Sequence, residues 1–132
     1  MSPATDTQAL ERDLAFAIDS ARRAGERVLA LRETGRWQAG MLADVGDQAA
    51  DGLLQGLIQG RYPEDGILSE ETADSEERLS KRRSWIVDPL DGTVEYSEGR
   101  SDWAVHVALT LGGRCAVGAV ALPLLAAGPQ LL

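Results

Sequence analysis

The chain has 132 residues, 44% of them hydrophobic, and a formal net charge of −8, which leaves room for one soluble domain with an ordinary core and none for a second. The acidic balance excludes a nucleic-acid backbone as partner, since that needs a basic surface to displace counterions. No stretch reaches the roughly 20 apolar residues of a membrane helix, the start has no apolar signal core, and the single cysteine, Cys115, forms no internal disulfide, so a cytoplasmic protein is expected.

From Ala9 to about Leu31, the apolar residues Leu10, Leu14, Ala17, Ile18, Ala21, Val28 and Leu29 recur at helical spacing, with charges on the other face. Thr34 to Gly46 contains three glycines and no clear period, and reads as a loop or irregular hairpin around Trp37. A second helix is expected from the stripe Ala49, Leu53, Leu54, Leu57 and Ile58, with Asp47 just ahead of it as a cap. Tyr62-Pro63-Glu64-Asp65-Gly66 is turn chemistry, and Ile67-Leu68 begins a short strand ending at Ser69-Glu70-Glu71.

Thr72 to Arg83 is a charged connection, in which Asp74, Glu76 and Glu77 read as a solvated face. Trp85-Ile86-Val87 is a short apolar run, expected as a buried strand that delivers Asp88 to its end. Trp103 to Leu111 and Cys115 to Leu122 are β-rich and joined by Gly112-Gly113-Arg114, a hairpin. Trp85, Trp103 and Cys115 are expected in the core, and His106, on the strand face opposite Trp103, Val105 and Val107, as a hydrogen-bonded structural histidine. Helix, helix, then strands indicates an α+β layered fold. The last residues carry no polar ending, so the chain reads as one cut-short domain, residues 1–132, with an apolar end and a strand edge that favour self-association into a homodimer.

The residues that carry chemistry are Ser69-Glu70-Glu71-Thr72 and Trp85-Ile-Val-Asp88-Pro-Leu-Asp91-Gly-Thr93. Asp-Pro-x-Asp-Gly is also turn-like, and a tight turn with self-bonded carboxylates is the plain alternative. Position argues for more: Asp88 ends an apolar strand, Pro89 fixes the backbone direction, and Gly92 with Thr93 leaves amides free at the next element. Two hard oxygen ligands would then stand beside a phosphate cradle.

These two strings, taken together, resemble the G/S-E-E and W-I-[IV]-D-P-[IL]-D-G-T signatures of the inositol monophosphatase superfamily. The resemblance runs from the first helix through Pro123 and covers the first half of a usual member. It implies a layered α/β/α/β/α sandwich, here only its amino-terminal α+β half. Glu70, Asp88 and the main-chain carbonyl of Leu90 would bind one Mg2+, and Asp88 with Asp91 would share a second. Gly92 and Thr93 would contact the substrate phosphate through backbone amides, and the Thr93 hydroxyl would orient the attacking water. Asp47 would pair with Thr93 in activating that water, although the family's T-x-x-D element has lost its threonine in Ala43-Asp44-Val45-Gly46-Asp47. An all-oxygen donor set favours magnesium over zinc.

Within the superfamily, Asp91-Gly-Thr-Val-Glu95-Tyr96 and Ser101-Asp-Trp-Ala-Val-His106 are similar to the CysQ-type bisphosphate nucleotidases of sulfur metabolism. That similarity implies a phosphomonoesterase acting on 3'-phosphoadenosine 5'-phosphate. Inositol monophosphatase or fructose-1,6-bisphosphatase activity is the enzymatic alternative, and an inactive fragment or metal-binding remnant the non-enzymatic one. Family members draw one more metal-binding aspartate from their second half, and the sequence offers none to match it.

Overall fold

The computed structural model describes residues 3–69 and 81–124. The element order is α1 (Pro3–Glu33), α2 (Ala39–Arg61), β1 (Gly66–Ser69), β2 (Arg83–Asp91), α3 (Thr93–Ser97), β3 (Ala104–Leu111) and β4 (Arg114–Ala121). The strands form one sheet in sequence order, with β1 parallel to β2 and the remaining neighbours antiparallel. The long helices pack against each other and against the sheet, α1 over β3 and β4 and α2 over β2. The fold class is α+β, as expected.

The helical contact face of α1 runs through Ala17, Ser20, Ala21, Ala24 and Val28, all at most 1% exposed. Small side chains let the helix axis lie close to the sheet. Leu14 and Ile18, expected on this stripe, are exposed, because the buried line passes one residue to their side. The second helix begins at Ala39, well before the expected start: the glycines at 40 and 46 are accommodated inside it, and Gln38 stands at its N-cap. Its buried line is Leu42, Gly46, Ala50, Asp51, Leu54 and Ile58.

Trp85 and Val87 on β2 and Val105, Val107 and Leu109 on β3 point into this helix–sheet core. Alternation sends Ile86 to the opposite face, 37% exposed, so Trp85-Ile86-Val87 is half-buried and not a strand covered on both sides. Phe16, Tyr62 and Trp85 meet at centroid distances of 5.1 to 5.2 Å and tie α1, the end of α2 and β2 together. Beside them the Arg83 guanidinium donates to both Asp13 and Asp65 at 3.0 to 3.2 Å, and Trp85 Nε1 donates to Asp65 at 2.9 Å. Every polar atom that this cluster buries is thereby paired.

Gly112 and Gly113, with φ of 58° and 84°, close the β3–β4 hairpin, a two-residue turn that only residues tolerating positive φ form cheaply. Cys115 is exposed on β4, an edge strand that no described strand covers on its outer side, and so is not the core residue expected. Among the described residues no helix is long and apolar enough to cross a membrane. The apolar tail beyond Leu124 and the acidic residues 70–77 lie outside the described residues.

Candidate metal and phosphate site

In a regular strand, residues three apart face opposite sides, so Asp88 and Asp91 would diverge. The chain prevents this with a bulge. Asp88 is opposite His106 and Asp91 is opposite Ala104, so β2 spends three steps where β3 spends two. Pro89 sits in the extra stretch, where its missing N–H costs no ladder bond. Pro89 and Leu90 turn into the core, and Asp88 and Asp91 emerge on the same side. One ligand atom from each, together with one from His106, falls within 4.8 Å of the other two.

His106 Nε2 lies 3.2 Å from Asp91 Oδ2. Asp88 and His106 rim a shallow depression of about 370 Å3 on the face of the sheet turned away from the helices, with Leu68, Ser69, Ile86 and Ala108 around it. His106, expected as a hydrogen-bonded histidine, finds its partner in Asp91. Asp88 and His106 are far apart along the chain, and only the β2–β3 register makes them neighbours.

Past Asp91 the chain turns sharply. Gly92 has φ 88° and ψ 50° and forms the N-cap of α3. A Cβ there would sit 3.1 Å from the Asp102 carbonyl, so glycine is required both by conformation and by space. Thr93, half-buried, opens α3, whose first amides have no intrahelical acceptor. The loop after α3 is held from below by Arg32, whose guanidinium donates to the Tyr96 and Arg100 carbonyls at 3.0 and 2.8 Å and stacks on Tyr96 and Trp103. Arg100 in turn hydrogen-bonds the Asp102 carboxylate and holds its pKa below the usual value.

Asp47 is not a helix cap. It lies inside α2, half-buried, one residue after Gly46. A Cβ on Gly46 would stand 2.8 Å from the Tyr96 ring, so the glycine brings this turn of α2 directly against α3, the helix that Thr93 begins. Glu70 lies outside the described residues. Ser69, immediately before it, pairs in register with Val87, immediately before Asp88. The Ser69 hydroxyl donates to the buried Asp51 carboxylate at 2.5 Å, and Gln55 donates to the other Asp51 oxygen at 3.0 Å. Asp51, one helical turn beyond Asp47, thus anchors the end of β1 to α2, an attachment that no sequence motif signalled.

The profile of the inositol monophosphatase family matches residues 8–130. The chain belongs to the inositol monophosphatase family. It is 49% identical over 113 residues to the 3'-phosphoadenosine 5'-phosphate phosphatase of Mycobacterium leprae, a match covering 82% of this chain and 42% of that protein. With inositol monophosphatase 1 of Solanum lycopersicum the identity is 32%, covering 88% of this chain and 45% of the relative. The fold superposes on the crystal structure of CysQ from Bacteroides thetaiotaomicron, a bacterial member of the family, with a TM-score of 0.74 and 26% identity, covering 85% of this chain and 42% of that one. The chain therefore spans about two fifths of the length of these family members. The expected family and fold are both confirmed by these matches.

A cation fits the donor set of Asp88, Asp91 and His106. Two carboxylates and an imidazole converge from two adjacent strands, on an open face, within the spacing that one ion can bridge.

Proposed function

We propose that the chain carries the metal- and phosphate-binding part of a magnesium-dependent phosphomonoesterase that hydrolyses 3'-phosphoadenosine 5'-phosphate. The observation that carries this reading is the bulged end of β2, which turns Asp88 and Asp91 to one side and is followed at once by the left-handed Gly92 that opens α3. The choice of substrate rests on the mycobacterial relative, whose name specifies that phosphatase.

A phosphate monoester dianion repels nucleophiles and hydrolyses extremely slowly, so a catalyst must neutralise charge and deliver water in line. Asp88, Asp91, Glu70 and the Leu90 carbonyl are assigned to hold Mg2+, which when bound supplies charge neutralisation and lowers the pKa of water. Gly92 and Thr93 orient the phosphate through their amides. Asp47 accepts the Thr93 hydroxyl, and that hydroxyl aligns the attacking water; the close packing of Gly46 on Tyr96 supports this pairing, since it brings the two helices together. The partner is a small phosphorylated metabolite, bound through metal and not through basic side chains, consistent with the net charge of −8.

Calorimetric titration with Mg2+ tests the metal site in the chain itself: binding is expected, and Asp88→Asn should weaken it at least tenfold. No binding, or binding that Asp88→Asn leaves unchanged, would remove the reading. Turnover of 3'-phosphoadenosine 5'-phosphate, inositol phosphate and fructose 1,6-bisphosphate by the full gene product separates the substrates. Preference for either sugar or inositol ester would overturn the nucleotide assignment and leave the metal site intact.

A further inference from the structure

His106 is the chain's single histidine. It stands directly across the β2–β3 ladder from Asp88, on the open face of the sheet, with Nε2 3.2 Å from Asp91 Oδ2. Its side chain is 41% exposed and that of Asp91 60% exposed. A pair so exposed contributes little to stability, on the order of 0 to 1 kcal/mol, so the fold does not need it. The core lies on the other face, where Val105 and Val107 flank it. What the position does supply is a nitrogen donor within 4.8 Å of an oxygen from each of the two aspartates. Donors bound at about 2.0 to 2.3 Å to one octahedral ion stand roughly 3 Å apart when adjacent and a little over 4 Å when opposite, which lies inside that spacing.

The geometry points to His106 as a third side-chain ligand to the cation shared by Asp88 and Asp91. This rests on the metal-site reading above. As a ligand, the His106 imidazole would offer a ring-nitrogen lone pair to the ion and keep its other ring N–H for solvent or a neighbour, and the depression beside Asp88 and His106 is open to water. Two carboxylates alone hold a divalent ion loosely on an open surface; a third protein donor on a hydrogen-bonded strand adds a ligand already fixed in place. The mixed set also changes selectivity. Imidazole suits first-row transition ions, so the site should prefer Mn2+ or Zn2+ over Mg2+ more strongly than an all-oxygen site would.

Electron spin echo spectroscopy of the Mn2+-loaded chain, free of any histidine tag, reads this directly. The expected result is a nitrogen-14 modulation from a bound imidazole, absent in His106→Gln, with the Mn2+ Kd of that variant raised about tenfold. Mn2+ that binds and is lost in Asp88→Asn, but shows no nitrogen modulation, would overturn the role of His106 while leaving the metal site standing. Failure of the wild-type chain to bind Mn2+ at all would overturn both. The circular dichroism spectrum of His106→Gln is expected to match the wild type, since the side chain is outside the core; a collapsed fold would show instead that His106 is structural and refute the assignment.

Discussion

On the helix-packed face of the sheet Trp85, Val87, Val105, Val107 and Leu109 are at most 2% exposed, while Ile86, between two of them on β2 and facing the other way, is 37% exposed. The strands are shared, and the faces differ only in the parity of the residues that reach them. One face is sealed by two long helices and stabilises the fold. The other, which no described element covers, holds Asp88, Asp91 and His106 within reach of water. A polar site on the sealed face would pay the full cost of burying charge, whereas on the open face the cost is small. The bulge at Pro89-Leu90 is where the two faces meet, because it turns apolar residues inward and brings both aspartates outward.

The sharpest test of this contrast is a pair of truncations two adjacent positions apart in facing. Trp85→Ala should cost about 3–5 kcal/mol, enough to leave a domain of this size largely unfolded, and Ile86→Ala within about 1 kcal/mol, both read from urea unfolding. Comparable losses would mean that the second face is also covered. At the seam, Gly92→Ala forces an L side chain to φ 88° with its Cβ 3.1 Å from the Asp102 carbonyl. A loss of about 2 kcal/mol is expected, seen as a drop of several degrees in Tm, together with weakened metal binding because Asp91 is displaced.

The smallest expected effect lies on the sealed side. The Tyr96 phenol donates to the Val28 carbonyl, and burial pushes its pKa above the ordinary tyrosine value, partly offset by Arg32. Because the folded-state pKa is raised, its contribution to stability is complete below the unfolded value of about 10 and is lost as pH rises past that point. Tyr96→Phe should therefore cost about 1 kcal/mol at neutral pH and flatten the alkaline limb of the stability profile. An alkaline limb identical in the variant would place the titration elsewhere.

Much of this arrangement was legible in the residues. The hairpin at Gly112-Gly113, the turn at Tyr62 to Gly66 and the strand ahead of Asp88 all follow from local chemistry, and the signature from Trp85 to Thr93 named the residues proposed for the site. The errors share a cause. Asp47 looked like a cap because glycines at 40 and 46 argue against helix, yet packing of Gly46 on Tyr96 outweighs that propensity, which amounts to about 1 kcal/mol per residue. Cys115 looked like core because cysteine usually is; it lies on an edge strand whose outer face no described element covers. For His106 the sequence offered no partner, because nothing within its own segment is acidic at the right spacing; Asp91 comes from the neighbouring strand.

By itself, then, the sequence singled out the residues proposed to bind a cation and a phosphate, since ligand chemistry belongs to residue type and the bulge is written in Asp-Pro-x-Asp-Gly. Tertiary structure alone decided which face those residues share, that a histidine from the next strand joins them, and that Asp51 pins the end of β1. Such contacts depend on strand register and helix docking, which bring together positions distant in the chain and leave no periodic trace along it.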